Sequence, residues 1–156
     1  MTVADTPTRA GVEKDIRAFM AKYTPEIARF GRAARSRVKK LVPGGVEFVY
    51  DNYIGLVFGY GPTERPSEAV LSLVLLPRWV TICFLKGALL PDPRKLLRGS
   101  GNSVRNIRLD AASDLDRPDI KRFIRLSIAG ASPPFPGTRR FDTVIKSVSA
   151  KQRPRR

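Results

Sequence analysis

The spacing of apolar residues near the N-terminus predicts two helices, over residues 12–22 and 25–41. In both stretches apolar residues recur every three or four positions, which is one face of an α-helix. Thr24 can accept a hydrogen bond from the first turn of the second helix, and Pro25 suits its first position. The apolar positions are Ile16, Phe19 and Met20, followed by Ile27, Phe30, Ala34, Val38 and Leu41.

The middle of the chain has the alternation and the apolar runs that are typical of β-strands. The predicted strands cover residues 46–51, 54–60, 69–76, 79–85 and 104–109. Only Pro77-Arg78 separates the third strand from the fourth, which predicts a tight hairpin. Because these two strands are almost wholly apolar, we expect them to be central in a sheet and covered on both faces.

The last part of the chain predicts one more helix, a linker, a strand and a tail. Asp116 is placed to cap the helix, Pro118 falls in its first turn, and four apolar residues form its stripe. Prolines and a glycine in residues 133–137 indicate a linker. Residues 141–148 predict a strand, and residues 151–156 an exposed basic end. The stripe consists of Ile120, Phe123, Ile124 and Ile128.

The order of these elements predicts an α+β fold, with N-terminal helices packed on a largely antiparallel sheet and a further C-terminal helix. Helices and strands do not alternate, which argues against a doubly wound parallel sheet. A length of 156 residues favours one domain. We divide the chain into a disordered lead-in (1–10), an α+β domain (11–130), and a Pro-rich linker, strand and basic tail (131–156).

The net charge of +15 is concentrated at the two ends of the chain. Residues 1–42 carry +6, residues 43–130 carry +3 and residues 131–156 carry +6. Such asymmetry favours a polyanionic partner, with nucleic acid first and an anionic membrane second. The alternative is that the charge serves solubility alone.

The chain has no histidine and a single cysteine, Cys83. This excludes Ser-His-Asp and Cys-His catalysis, imidazole metal ligands and thiolate zinc sites. A hydrolase that uses two carboxylates or a lysine is still allowed, but no residue pattern points to one, and we expect a non-enzymatic binding protein without a cofactor. Cys83 lies in an apolar run and is expected to be buried, and a lone cysteine fits a reducing compartment. Neither a membrane-spanning run nor a signal peptide is recognisable, so we expect a cytoplasmic location.

Two basic segments are candidate anion-binding sites. In residues 94–105, glycines can turn backbone N–H groups toward a phosphate and basic residues flank them. The alternative is a mobile surface loop. The basic tail could neutralise phosphates and release their counterions, or could be a solvated segment without a partner. The candidate residues are Arg94, Lys95, Arg98, Gly99, Ser100, Gly101 and Arg105 in the loop, and Lys146, Lys151, Arg153, Arg155 and Arg156 in the tail.

One acidic cluster is dense enough to suggest a hard-cation site. The other interpretation, which we favour, is capping and dipole complementation at the start of the last helix, where Asp116 and Asp119 are placed for that role. The cluster consists of Asp110, Asp114, Asp116 and Asp119.

Several segments together resemble the YdhG-like family (domain of unknown function 1801). The main ones are residues 49–53, 59–65, 76–80, 84–87, 90–93, 97–101 and 107–109, in the order and at the spacing of that family, and the similarity covers roughly residues 14–130. The ending at residues 144–156 resembles a subgroup of such proteins. The resemblance implies a compact α+β domain.

A frataxin-like, iron-carrying role has been proposed within the family, but the N-terminal helices here are basic, whereas that role needs an acidic surface. Asn106 also stands where related sequences often carry histidine.

Three hypotheses for the function follow. The first is a polyanion-binding module that uses the basic helix face and the tail. The second is a frataxin-like metal-binding or small-ligand-binding accessory protein. The third is an enzyme whose phosphorylated substrate is held by the glycine loop. We prefer the first.

Overall fold

The computed structural model describes residues 7–156 and contains three α-helices and six strands in that range. The helices are α1 (Arg9–Ala21), α2 (Pro25–Leu41) and α3 (Pro118–Ala129). The strands are β1 (Gly45–Asp51), β2 (Leu56–Gly61), β3 (Leu71–Leu75), β4 (Val80–Phe84), β5 (Arg105–Leu109) and β6 (Phe141–Val148). The lead-in predicted for residues 1–10 falls partly outside the described residues, and its last two residues are helical.

The strands form one sheet in the order β5-β4-β3-β2-β1-β6. Four of the five pairings are antiparallel, and only β1 and β6 run parallel. The predicted α+β class and the largely antiparallel sheet are therefore confirmed. Among residues 7–156, none of the helices combines the length and the apolar character needed to cross a bilayer.

The helices begin where local chemistry favours a start. The Thr24 side chain accepts the N–H of Ile27 at 3.3 Å and Pro25 is the first residue of α2, as predicted. Thr8 accepts the N–H of Gly11 in the same way, so α1 begins three residues before the predicted start.

All three helices pack on the same face of the sheet, and their apolar stripes bury a single core against β2, β3 and β4. Leu73, Leu75 and Ile82 are almost completely buried there. The predicted cover on both faces is wrong for β3 and β4, because Val74, Thr81 and Cys83 on the opposite face remain half-exposed. On another part of that face, Val46, Phe48 and Ala69 form a second apolar cluster.

The prediction that Asp116 caps α3 is also wrong. Arg117 occupies the cap position and makes no side-chain capping bond, although Pro118 does lie in the first turn. Asp116 instead pairs with Arg37 of α2 at 3.3 Å. Asp114, two residues earlier, accepts the backbone N–H groups of Asp110 and Ala111, so this acidic side chain organises the short 3₁₀ helix before α3.

A glycine pair connects α2 to β1 and fixes the segment beside it. Gly44 and Gly45 have φ values of 81° and 101°, which side-chain-bearing residues rarely adopt. The Gly45 N–H donates to the carbonyl oxygen of Arg140 at 3.2 Å. This contact, with the bonds that Gly137 and Thr138 donate to the Pro43 carbonyl, holds residues 137–140 against the turn that follows α2, beside the cleft described below.

The Gly45 turn generates a stability prediction. A Cβ at Gly45 would overlap the backbone carbonyl of Gly61 and would also require an unfavourable φ, so Gly45→Ala should lower the free energy of unfolding by about 1–3 kcal/mol. Gly101→Ala is the control, because a Cβ there meets nothing within 4 Å. Urea denaturation measures both. Equal stabilities of the two variants would contradict the role assigned to this turn.

Candidate anion-binding site

A cleft of about 980 Å³ lies between the first two helices and the segment that leads into β6. It is at the upper end of the size range of ligand sites, roughly 300–1,000 Å³. Among residues 7–156, five basic side chains and one acidic side chain line it, so this wall carries an excess of positive charge. The basic residues are Arg32, Arg35, Lys39, Lys40 and Arg139, and the acidic residue is Glu13.

The floor of the cleft rests on an ion pair between Arg35 of α2 and Glu47 of β1. The Arg35 Nε donates to Glu47 Oε2 at 2.9 Å, and Nη2 donates to Oε1 at 2.8 Å. Strand alternation turns Glu47 toward the helices, where its side chain has no exposed surface. The Arg35 guanidinium also lies over the Phe58 ring at 5.2 Å, so it is held from two sides.

Glu47 has further partners that complete its hydrogen bonding. The hydroxyls of Tyr60 and Thr143 donate to it at 2.8 and 2.9 Å, and the Lys39 Nζ lies 3.7 Å away. A buried carboxylate is stable only when it is paired and hydrogen-bonded in this way. Thr143 belongs to β6, so the same carboxylate joins α2, β2 and β6 to β1.

Burial, hydrogen bonds and neighbouring charges shift the pKa values of Glu47, Glu13 and Tyr60. Burial raises the pKa of Glu47, but the hydrogen bonds and the positive charge of Arg35 outweigh it and hold that pKa below its ordinary value. The Arg35 hydrogen bonds lower the pKa of Glu13 as well. Burial, and then the Glu47 charge, raise the pKa of Tyr60 well above 10.0. Both carboxyls are thus ionised at neutral pH.

Three cations of the cleft are not paired with Glu47 or Glu13. Glu47 and Glu13 compensate Arg35 and Lys39. In the part of the chain that the structure describes, the charged groups of Arg32, Lys40 and Arg139 make neither a salt bridge nor a side-chain hydrogen bond. All three residues are exposed, so they can meet an anion from solution.

The glycine loop predicted from the sequence, residues 94–105, leads into β5. It therefore lies at the edge of the sheet opposite to β6 and the cleft. Asp92 accepts the N–H groups of Leu96 and Leu97 at 2.9 Å, which closes the first part of the loop. The Arg105 guanidinium donates to the carbonyl oxygens of Gly101 and Val104. The other predicted residues, Arg94, Lys95, Arg98, Gly99, Ser100 and Gly101, are exposed. The fold does not bring this loop near the tail or the cleft.

The basic end is anchored, which corrects the expectation that residues 151–156 are exposed throughout. The side chain of Arg155 is only 2% exposed, and its Nη2 donates to Oδ1 of the fully buried Asp51 at 3.1 Å. Lys22 binds the other oxygen of Asp51 at 2.6 Å. Arg156 donates to the carbonyl oxygens of Ala21 and Lys22 at the end of α1. Lys146, Lys151, Arg153 and Arg156 are exposed.

The basic face of α2 was predicted from the sequence. Arg139 and Glu13 were not predicted to be site residues. The only signal for Arg139 was its position beside the predicted linker. Within residues 7–156, no three His, Cys, Asp or Glu side chains are arranged to hold a metal ion. In the acidic cluster, Asp114 accepts backbone N–H groups, Asp116 pairs with Arg37 and Asp119 pairs with Arg117.

The tail anchor generates a second prediction. Arg155→Ala should lower the free energy of unfolding by about 3 kcal/mol, because the buried Asp51 loses one of its two cations. Arg153→Ala removes an exposed arginine two residues away and should change it by less than about 0.5 kcal/mol. Urea denaturation at neutral pH compares them. Similar stabilities of the two variants would show that the anchor contributes little.

The lowered pKa values of Glu13 and Glu47 generate a third prediction. A carboxyl whose folded pKa lies below its unfolded value stabilises the fold above the unfolded value, here 4.5, and loses that effect as the pH falls through the folded pKa. The free energy of unfolding should therefore fall from about pH 5 downward. Glu13→Gln should make this fall shallower than that of the wild-type protein. Equal slopes would contradict the assignment.

Comparison with family models, curated proteins and solved structures finds no match to this chain. The resemblance to the YdhG-like family therefore stays a prediction. The geometry of the cleft is the basis on which a function can be inferred.

Proposed function

We propose that this protein is a non-enzymatic module that binds a polyanion, with nucleic acid as the first candidate, through the basic cleft between α1, α2 and β6. The observation that carries the proposal is the group of three exposed cations, Arg32, Lys40 and Arg139, which line one cleft without a carboxylate partner within residues 7–156. Cations so placed can replace the counterions of a phosphate backbone.

The net charge supports the same proposal at longer range. A chain with +15 attracts a polyanion before contact is made, and the cleft then offers a local site. The loop before β5 and the exposed cations of the tail lie apart from the cleft and can add contacts to a long ligand. The single cysteine fits a reducing compartment, so we place this activity in the cytoplasm.

The aromatic lining of the cleft favours recognition of the phosphate backbone over stacking of bases. Phe141 is the aromatic residue among those that line it. The Lys39 ammonium lies 5.5 Å from the centre of that ring, and Tyr60 packs edge-on at 6.1 Å. A base would have to displace Lys39 to stack there. We therefore propose binding with little sequence preference, dominated by phosphate contacts.

A charge-matched pair of variants tests the proposal. The first combines Arg32→Gln, Lys40→Gln and Arg139→Gln, and the second combines Arg94→Gln, Lys95→Gln and Arg98→Gln in the glycine loop. Affinity for a short labelled DNA duplex and for single-stranded RNA is measured at several salt concentrations. Loss of three phosphate contacts should reduce the slope of log K against log salt on duplex DNA by roughly 2.7. The loop variant should keep the wild-type slope.

Three outcomes would count against this proposal. Equal losses in both variants would mean that net charge alone matters, and a loss confined to the loop variant would assign the site to the glycine loop. Wild-type binding no stronger than that of an equally basic control protein would refute the polyanion function itself.

A further inference from the structure

Glu13 occupies the side of Arg35 that faces the cleft. The Nη1 and Nη2 atoms of Arg35 donate to its two carboxylate oxygens at 3.0 and 2.8 Å. Both residues line the cleft, and the Glu13 side chain is 34% exposed, whereas that of Arg35 is only 12% exposed. The pair therefore forms part of the wall that a ligand would touch, with the acidic partner on the solvent side.

The other side of the guanidinium cannot turn away from Glu47. Its Nε and Nη2 bind that carboxylate, which is fully buried and is itself held by Tyr60 and Thr143. Arg35 is thus fixed in orientation by contacts that no ligand can reach. Whatever group binds at the Nη1 and Nη2 atoms meets a preorganised donor pair, which reduces the entropic cost of forming those bonds.

A phosphate group can take the place that Glu13 occupies. Both carboxylates and phosphates accept two parallel hydrogen bonds from an arginine fork. Glu13 belongs to α1 and is joined to this site by a side chain with about one third of its surface in solvent, so it can rotate out toward water. The buried Glu47 has no such route.

We propose that the Glu13 carboxylate competes with the ligand for Arg35. A phosphate group of the ligand displaces Glu13 from Arg35, and Arg35 then binds that phosphate directly. The inference rests on the proposed polyanion function and makes it more specific. It assigns the recognition of one phosphate to Arg35, while Arg32, Lys40 and Arg139 supply the surrounding positive charge. The affinity of the free protein is set partly by how firmly Glu13 holds its place.

The test compares Glu13→Gln with Asp15→Asn. Both remove one negative charge from α1, but Asp15 is exposed and does not line the cleft. The probes are inorganic pyrophosphate, by titration calorimetry, and the labelled duplex. Because Glu13→Gln replaces the competing carboxylate by a neutral amide, it should tighten pyrophosphate binding about tenfold, as expected for the loss of a charge-assisted pair. Asp15→Asn should change it less than about twofold, as expected for an exposed charge.

A second readout needs no variant. Titration of the wild-type protein with pyrophosphate should shift the side-chain Nη–H signal of Arg35 in an NMR spectrum, because the hydrogen-bond partner of the Nη1 and Nη2 atoms changes from Glu13 to a phosphate. An unshifted Arg35 signal under saturating pyrophosphate would overturn the inference. So would equal affinities of the two variants, or weaker binding by Glu13→Gln.

The failure of the inference can be told from the failure of the proposed function. If the wild-type protein binds the duplex with the expected salt dependence but Glu13→Gln behaves like Asp15→Asn, only the competition is wrong. If the wild-type protein and both variants bind neither probe beyond the level of an equally basic control protein, the polyanion function is wrong and the inference falls with it.

Discussion

The structure depends on a carboxylate that has no contact with water. Glu47 stands on the helix-facing side of β1, beside the buried core that the helices and the sheet enclose. Burying its charge is unfavourable unless cations and donors surround it. Arg35, Lys39, Tyr60 and Thr143 do so, and they come from α2, β2 and β6. The same requirement that joins these elements also fixes Arg35 in the wall of the cleft, so one residue serves the packing of the fold and, in our proposal, the binding of a phosphate.

A second buried acid on β1 repeats this arrangement at the other end of the strand. Asp51 is compensated by Lys22 and by Arg155, which lies 104 positions further along the chain. Some of the 29 basic residues therefore serve the fold and are not available to a ligand. Net charge alone therefore overstates the number of cations that a ligand could meet. Within residues 7–156, the cleft cations without an internal acid are Arg32, Lys40 and Arg139, and our proposal adds Arg35 once Glu13 is displaced.

Local signals in the sequence were sufficient for most elements. Thr24 and Pro25 marked the start of α2, and Pro77-Arg78 marked the hairpin between β3 and β4, because caps and turns depend on a few neighbouring residues. The functional geometry was harder to predict. Strand alternation shows that Glu47 and Phe48 point to opposite faces but not which face the helices cover. The basic residues that pair with Glu47 and Asp51 are not their neighbours in sequence. The burial and pairing of Arg35 and Arg155 therefore could not be predicted from the local pattern of residues. The same limit explains why the tail was expected to be exposed and why Arg139 was missed.

The central claim is that a polyanion binds in the cleft between α1, α2 and β6, and backbone amide NMR tests it most directly. A short DNA duplex is titrated into the isotope-labelled protein near physiological salt. The account predicts that the largest chemical-shift changes fall in residues 32–40 and 137–141, with small changes in residues 94–105. Changes concentrated in residues 94–105 or 151–156, with α2 unaffected, would contradict it.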